Sequence, residues 1–415
     1  MTAGTTARER LIGGVGRNVV ALGFVSLLTD VSSEMLVYVI PLFLANVLAA
    51  SSSVIGLIEG IVESASALLR LVSGAISDRL GRRRLLVGTG YSTSVVAKAL
   101  YLVAASWPAV LLARLGDRVG KGIRTAPRDA LVADSVPENQ RGLAFGFHRA
   151  ADTAGAMVGL IIALLVVWLL QARGPELKEA TFRTLVLVSL IPAVLAVISL
   201  ALGAQDVPVT KQRAAPKFAF RTLGKPFMVF CLIVGIFTLG NSADAFLVLR
   251  AQERGLTILG VLGMLITFNL IYTLIATPAG SLSDRIGRRK LIIGGWLAYA
   301  LIYLGFGLAQ TGVQIWALYA LYGVYYGMAY GTANAMVADL VPAEVGGTAY
   351  GTYNAVIGIL VFPASVIAGV LWQGIGAWPG FGASAPFLFG GALALLAAAL
   401  MAWWLPRVIA AQASR

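Results

Sequence analysis

Two short charged segments occur twice in the sequence, each time between long apolar stretches. The segment GAISDRLGRRR at 74–84 returns as GSLSDRIGRRK at 280–290, and ADSVP at 133–137 returns as ADLVP at 338–342. The aspartates of the first pair are 284 − 78 = 206 residues apart, and those of the second pair are 339 − 134 = 205 residues apart. Two motifs repeated at almost the same offset indicate a duplicated chain with two parallel halves.

The composition is typical of an integral membrane protein. Hydrophobic residues make up 58% of the chain and charged residues 12%, against roughly half and about a quarter in soluble domains. The net charge of +13 comes mainly from Lys and Arg in short loops between apolar segments. That pattern belongs to the loops of membrane proteins, so we expect no nucleic-acid partner. The single cysteine, Cys231, excludes a disulfide framework, and the first 17 residues show no cleavable signal pattern.

The hydropathy pattern predicts twelve transmembrane helices, because a helix needs about 20 predominantly apolar residues to cross a bilayer. They are expected at 19–48, 53–76, 85–105, 108–133, 142–170, 181–203, 227–249, 258–279, 291–309, 313–338, 347–372 and 386–405. The predicted fold is therefore all-α and membrane-embedded. Residues 1–203 form an N-terminal six-helix half, 204–226 a polar linker, and 227–415 a C-terminal six-helix half.

The distribution of basic residues predicts the orientation. Lys and Arg are concentrated in the loops at 79–84 and 285–290 and in the linker, whereas the opposite loops contain few of them. Because basic loops remain on the cytoplasmic side, we expect the linker and both termini to be cytoplasmic and the protein to lie in the plasma (inner) membrane. The same basic loops are expected to contact anionic lipid head groups.

The repeated G-x-x-x-D-R-x-G-R-R hairpin after spans 2 and 8 resembles the signature loop of the major facilitator superfamily. The segment RVGKG at 118–122 is similar to an R-x-x-x-G element of proton-coupled members, and Gly146, Gly155 and Gly159 partly match the glycine pattern of drug/proton antiporters. The resemblance covers nearly the whole chain. It implies two halves related by a pseudo-twofold axis, a monomeric small-molecule transporter, and a central cavity lined by spans 1, 4, 7 and 10.

The resemblance also implies that the hairpins latch the two halves in one access state. Glycines permit the sharp turn, and an aspartate at a helix end can pair with a cation or with a helix N-terminus. The predicted latch residues are Gly74, Asp78, Arg79, Gly81, Arg82 and Arg83 in the first copy, and Gly280, Asp284, Arg285, Gly287 and Arg288 in the second. Alternatively, the basic loops determine only the topology.

Carboxylates inside the predicted spans are candidates for proton coupling. An ionisable group at mid-depth costs at least about 2.5–3.5 kcal/mol on insertion scales and usually faces a cavity or a partner. Span 1 carries Asp30 and Glu34, four residues apart and so on one helix face, and span 7 carries Asp244. A buried carboxylate near a cation can be tuned to exchange a proton. We therefore predict that Asp30, Glu34 and Asp244 couple transport to protons.

Span 4 carries a helical stripe of charges that the second half does not repeat. At an offset of 205, four of its charged positions, 114, 117, 121 and 129, correspond to tyrosine or asparagine in span 10. The resemblance therefore implies a cavity with one charged wall and one wall of tyrosine and amide groups. The predicted cavity residues are Arg114, Arg118, Lys121, Asn241, Tyr319, Tyr322, Tyr326 and Asn334.

Two interpretations of the stripe remain open. In one, Arg118 and Lys121 contact an anionic group or act on a protonatable carboxylate. In the other, three arginines of span 4, at positions 114, 118 and 124, are neutralised by Asp30, Glu34, Asp117 or Asp152, as buried charges generally require. In span 5, three neighbouring ionisable residues predict an ion-pair cluster inside the N-terminal half: His148, Arg149 and Asp152.

The predicted function is secondary active transport by alternating access, with proton-coupled export of a small organic solute. The first alternative is an organic or inorganic anion transporter or exchanger that uses the cationic stripe. A divalent cation as cargo lacks a tight ligand motif, and no resident metal or cofactor is expected. A membrane sensor without transport is a further alternative. An enzyme is not expected, because no nucleophile–base pair is recognisable.

Overall fold

A computed structural model describes residues 16–80, 83–137, 140–171, 174–206, 223–342 and 345–413. Fourteen helices occupy almost all of this part of the chain. They are α1 Arg17–Val37, α2 Val39–Asn46, α3 Ser52–Leu80, α4 Arg83–Leu100, α5 Trp107–Asp134, α6 Arg141–Gln171, α7 Glu179–Gly203, α8 Lys225–Gly240, α9 Ala245–Glu253, α10 Ile258–Ile286, α11 Arg288–Leu308, α12 Gly312–Leu340, α13 Gly346–Gln373 and α14 Ala385–Ala413. The twelve predicted spans are confirmed, but spans 1 and 7 each consist of two helices.

The break in span 1 has a cause in the sequence. Pro41 has no backbone N–H to donate to the carbonyl of Val37, and its ring clashes with that carbonyl. Accordingly, α1 ends at Val37 and α2 begins at Val39. The prediction of a continuous helix over 19–48 was therefore wrong at Tyr38.

The break in span 7 lies at the matching place in the second half, because position 38 plus 205 is 243. The segment between α8 and α9 begins with Asn241, whose φ of −98° and ψ of 81° are not helical. Asparagine and serine favour such breaks because their side chains compete for backbone hydrogen bonds. Tyr299 Oη donates to Asn241 Oδ1 at 3.1 Å and holds the break in place.

Nine of the helical segments among the described residues are long and apolar enough to cross a membrane by hydropathy alone. In that count α1–α2 and α8–α9 are each one segment, and α4, α5 and α12 fall outside it. These three helices still pack within the bundle: α4 lies along α5, and α12 lies along α10 and α11. Helix α5 carries too many charges to meet this hydropathy criterion, because its polar face lines an internal cavity.

The two halves meet along α3–α13, α6–α10 and α2–α9. We call the side where α7 ends and α8 begins the linker side, and the opposite side the far side. On the far side, Ser53 Oγ donates to the carbonyls of Gly369, at 3.1 Å, and Gly374, at 2.5 Å. The backbone N–H of Ser52 donates to Gln373 Oε1 at 2.6 Å. These bonds hold the halves together on the far side.

The two repeated motifs pair with each other in both halves. Arg83, in the first hairpin, forms an ion pair with Asp134 at the end of α5. Arg288, 205 residues later, forms the matching ion pair with Asp339 at the end of α12, with an N–O distance of 2.7 Å. Each hairpin is thus bound to the last turn of the fourth span of its own half, α5 or α12.

The other predicted latch residues are described less fully. Gly81 and Arg82 lie outside the described residues. Six more lie in the last two turns of α3 and α10, where only their backbone is described: Gly74, Asp78, Arg79, Gly280, Asp284 and Arg285. Gly287 immediately precedes α11 with φ +91°, a conformation that favours glycine.

Glycines on α6 let this helix approach α1 closely. A Cβ at Gly155 would clash with the carbonyl oxygen of Leu27 and lie 3.1 Å from Cβ of Asp30. A Cβ at Gly159 would lie 2.5 Å from the carbonyl oxygen of Val31 and 3.2 Å from Cβ of Glu34. Two glycines of the predicted pattern therefore pack against the turns of α1 that carry the two carboxylates.

We expect Gly155→Ala to lower the thermal stability of the purified protein, because the methyl group meets the backbone of α1. Overpacking of this kind typically costs about 1–3 kcal/mol. Gly146→Ala, in the same helix, is the matched control, since nothing lies within 4 Å of the point that its Cβ would occupy. Alanine is favoured over glycine in a helix by about 1 kcal/mol, so the control should be unchanged or stabilised. Equal melting temperatures for the two variants would contradict this packing.

Candidate transport site

A cavity lies between the two halves and consists of two adjoining lobes. The far lobe has a volume of about 440 Å³ and is lined by the two broken spans together with α3, α4, α5, α12 and α13. The linker lobe has a volume of about 490 Å³ and adds residues of α6 and α10. Several residues line both lobes, among them Asp30, Glu34, Lys121, Asp244 and Tyr326. Both helix breaks, at Tyr38 and at Asn241–Asp244, open onto the far lobe.

Most of the predicted cavity residues line this cavity. Arg114, Arg118, Asn241 and Tyr322 line the far lobe, in addition to Lys121 and Tyr326, which line both.

Two predicted cavity residues lie elsewhere. Tyr319 is fully buried in the aromatic cluster of the second half. Asn334 lies toward the linker side of α12, where its carbonyl oxygen accepts a hydrogen bond from Tyr350 Oη at 3.0 Å. Adding 205 to a residue number of the first half identifies the matching position along a helix of the second half, but it does not determine which face of that helix the side chain occupies.

Two glutamates of α3 neutralise the arginines at the far end of the stripe. Arg114 Nη2 lies 2.5 Å from Glu59 Oε2, and both side chains are almost completely buried. Arg118 Nη2 lies 2.9 Å from Glu63 Oε1. These two arginines are thus neutralised, as the second interpretation of the stripe supposed, but by carboxylates of span 2 and not by those it named in spans 1, 4 and 5. Glu59 and Glu63 are four residues apart on α3, so they face α5 in register with Arg114 and Arg118.

The remaining cavity carboxylates differ from these two. Within the described part of the chain, the side chains of Asp30, Glu34 and Asp244 form no ion pair and no hydrogen bond. The Lys121 ammonium also forms neither, although it interacts electrostatically with Asp30 and Glu34 across the cavity. Asp117, which also lines the far lobe, likewise forms no ion pair with a described residue, but it interacts electrostatically with Lys98 and Arg124. The far lobe thus holds four carboxylates, together with Lys121, that have no ion pair among the described residues.

Lys98 was not identified from the sequence. It lies on α4, is 1% exposed, and donates to Ser32 Oγ at 2.7 Å and to Ser33 Oγ at 3.0 Å. It thereby connects α4 to the segment of α1 between Asp30 and Glu34. A lysine at the centre of an apolar span was the available signal, because such residues usually face a cavity or a partner.

The predicted ion-pair cluster in span 5 is only partly formed. His148 Nδ1 lies 3.5 Å from Asp152 Oδ2, and Ser26 Oγ donates to the same carboxylate. Arg149 lies on an exposed face of α6 and lines the linker lobe. Its guanidinium donates to Tyr272 Oη of the second half at 3.0 Å. The prediction that Arg149 lies inside the N-terminal half was wrong, because the residue reaches across to the other half.

Aromatic residues form the opposite wall of the cavity. Tyr322 and Tyr326 of α12 line the far lobe, and Tyr326 also lines the linker lobe together with Phe268 and Tyr272. The rings contact one another: the centroids of Phe268 and Tyr322 are 5.7 Å apart, and those of Tyr272 and Tyr326 are 5.4 Å apart. Mutual packing holds these rings in fixed orientations, as is usual for aromatic pairs.

Comparison with known proteins agrees with this architecture. The family model of the Major Facilitator Superfamily matches residues 22–365 and 227–413. An uncharacterized MFS-type transporter of Methanocaldococcus jannaschii is 34% identical over 393 residues, which is 93% of this chain and 94% of the relative. The multi-drug resistance efflux pump PmrA of Streptococcus pneumoniae is 24% identical over 330 residues, or 77% of this chain and 80% of PmrA.

Among solved structures, that of the nucleoside transporter NupG superimposes with a TM-score of 0.78 at 12% identity, covering 92% of this chain and 98% of NupG. At this identity the similarity concerns the fold alone. The family match and the M. jannaschii relative together show that the chain belongs to the major facilitator superfamily. It is therefore a multi-pass membrane transporter, and not an enzyme.

We expect Glu59→Gln to destabilise the protein strongly, since it leaves the Arg114 guanidinium buried and uncompensated. Breaking a buried pair in this way typically costs about 3–5 kcal/mol. Glu63→Gln is the comparison variant: the Glu63 side chain is 38% exposed and that of Arg118 13%, against 4% and 5% for Glu59 and Arg114, so its loss should cost clearly less. Thermal unfolding of both variants tests this, and adding Arg114→Gln to Glu59→Gln should restore part of the lost stability. A Glu63→Gln variant at least as unstable as Glu59→Gln would refute this assignment.

Proposed function

We propose that this transporter exports a small organic solute in exchange for protons, and that Asp30 and Glu34 carry the protons. The observation that supports this most directly is the division of charges in the cavity. Arg114 and Arg118 are held by glutamates, whereas Asp30, Glu34 and Asp244 line the cavity without a direct partner among the described residues. Carboxylates in that position can bind either a proton or a cationic group of a solute.

The location of these carboxylates allows proton binding to change the access state. Asp30 and Glu34 lie on α1 just before the break at Tyr38, and α2 packs against α9 of the other half on the far side. Protonation removes negative charge facing Lys121, and this weakens the electrostatic attraction between α1 and α5. A ligand changes a conformational equilibrium only through unequal affinity for the two states. Proton and solute satisfy this condition if the carboxylates bind each of them with different affinity in the two states, and competition for the same carboxylates then makes the two exchange.

The proposed orientation places the linker side in the cytoplasm. Arg83 and Arg84 begin α4 on that side, and Arg288, Arg289 and Lys290 begin α11, as expected for cytoplasmic loops. The far side, where Ser52 and Ser53 bind α13, then faces outward, and the structure corresponds to a state closed to the outside. The similarity to PmrA, an efflux pump, supports export as the direction.

We further propose that the two hairpins latch the halves in one access state. In each half the hairpin arginine, Arg83 or Arg288, is paired with an aspartate at the end of the fourth span, α5 or α12. Because both pairs lie at the linker side, movement of one half against the other changes the environment of both.

Anion transport is the second candidate, and Lys121 is the residue that favours it. Its ammonium lines both lobes and has no direct partner among the described residues. Anion transport has less support, because the far lobe is lined by six carboxylates and five cations. The carboxylates are Asp30, Glu34, Glu59, Glu63, Asp117 and Asp244, and the cations are Lys98, Arg114, Arg118, Lys121 and Arg124. If anions were the cargo, Lys121→Met would abolish transport while Asp30→Asn would not.

The proton-coupling proposal predicts that Asp30→Asn and Glu34→Gln abolish solute-driven proton movement. Proteoliposomes loaded with the dye pyranine report this movement when organic cations, nucleosides, sugars or carboxylates are added. Wild-type protein should respond to at least one class, and each variant should lose the response by tenfold or more, that is about 1.4 kcal/mol. Glu179→Gln is the control, because this carboxylate pairs with Arg183 on an exposed helix face away from the cavity. Unchanged proton movement in both variants, or none in the wild type, would refute the proposal.

A further inference from the structure

We propose that the solute is a planar aromatic compound with a positively charged nitrogen, bound between the carboxylates of Asp30, Glu34 and Asp244 and the tyrosines of α12. This inference specifies the substrate class of the site and rests on the proposed transport function. It follows from three observations: the local excess of negative charge, the aromatic wall opposite it, and a buried acceptor at the far end of the cavity that lacks a partner in the described part of the chain.

The negative excess is located near Asp30 and Glu34. Glu59 and Glu63 are neutralised by the two arginines, and Asp117 interacts with Lys98 and Arg124 on the α4–α5 side. Arg124 is also engaged, since its guanidinium lies over the Tyr91 ring, 4.6 Å from the centroid, and donates to Ser94 Oγ. In the far lobe, which six carboxylates and five cations line, Asp30, Glu34 and Asp244 therefore remain opposite one cation, Lys121. A solute with a positive charge would balance this part of the cavity.

The aromatic wall is suited to the same solute. Tyr322 and Tyr326 line the far lobe on the side of the second half, and Tyr38 lines it at the break in span 1. A cation within about 6 Å of a tyrosine ring is attracted to the ring face, and a planar ring gains further contact by stacking. The carboxylates of α1 and the rings of α12 come from different halves of the protein. One solute that contacts both would therefore connect the halves.

The far end of the lobe contains a buried acceptor without a partner among the described residues. Glu59 is 3% exposed and binds Arg114 through Oε2, whereas its Oε1 has no hydrogen-bond partner within the described residues. Buried polar atoms are normally satisfied, so this oxygen is available to a positive or hydrogen-bond-donating group. The lobe volumes of about 440 and 490 Å³ lie in the usual range of roughly 300–1,000 Å³ for small-molecule sites.

Four probes of similar size separate charge from aromaticity. Phenyltrimethylammonium carries a ring and a permanent charge, tert-butylbenzene has the same shape without the charge, cyclohexyltrimethylammonium has the charge without the aromatic ring, and benzoate reverses the sign. Binding to the full-length purified protein is measured by titration calorimetry. We expect phenyltrimethylammonium to bind at least tenfold more tightly than tert-butylbenzene or benzoate, and about threefold or more tightly than cyclohexyltrimethylammonium.

Variants locate the site. Glu34→Gln should weaken both ammonium probes by about tenfold, whereas Glu179→Gln should leave them unchanged. Tyr326→Leu should remove the preference for phenyl over cyclohexyl, and Tyr326→Phe should keep it because the ring face is retained. A Tyr326→Leu protein that misfolds is recognised by its melting temperature, and Tyr38→Leu, at a partly exposed ring that lines both lobes, then replaces it in the test.

The results separate the substrate class from proton coupling, because phenyltrimethylammonium has no titratable proton and its binding needs no gradient. Binding of this probe without coupled proton movement would support the substrate class and refute the coupling. Failure of phenyltrimethylammonium to bind, or tighter binding of benzoate or tert-butylbenzene, would overturn the substrate class even if proton movement depends on Asp30. An unchanged phenyl preference in the leucine variants would also overturn it.

Discussion

The pairing of α5 with α3 is the interaction on which the rest of the structure depends. Helix α5 carries charges along most of its length, and a helix of this kind can lie inside a membrane only if its charges meet partners or water. Glu59 and Glu63 neutralise Arg114 and Arg118 from the neighbouring helix. Because these two arginines are satisfied within the N-terminal half, Asp30, Glu34, Asp244 and Lys121 are not required as their partners and are available for transport.

The duplication in the sequence is retained in the helical scaffold but not in the residues that line the cavity. The hairpin pairs Arg83–Asp134 and Arg288–Asp339 repeat at 205 residues, and the breaks in spans 1 and 7 occupy matching positions. The cavity walls do not repeat, since Lys121 in the first half corresponds to Tyr326 in the second. Symmetric halves allow the two to move against each other, while an asymmetric cavity allows a solute with one charged and one aromatic end to be held in a single orientation.

Much of the fold could be predicted from the sequence because its signals are local. Span number, the hairpins and the positions of Asp30, Glu34 and Lys121 follow from hydropathy and helical period. The break at Tyr38 could also have been predicted, because Pro41 removes a hydrogen bond to the carbonyl of Val37. The long apolar run around it instead indicated a continuous helix. The partners of Arg114 and Arg118 could not be predicted in this way. They depend on the packing of α3 against α5, and 55 residues separate Glu59 from Arg114. Arg149 and Tyr319 were misplaced for a similar reason, because helix rotation is set by tertiary contacts.

The central claim is that the unpaired carboxylates control which side of the transporter is open. Spin labels at Val103→Cys and Val313→Cys, both exposed near the far ends of spans 3 and 10, report the distance between the halves on the far side in a Cys231→Ala background. Measured by double electron–electron resonance, this distance should change between acidic and alkaline pH. The change should disappear when Asp30→Asn and Glu34→Gln are combined and remain with Glu179→Gln. A distance that responds to pH equally with and without the two carboxylates, or one that never changes, would contradict the account.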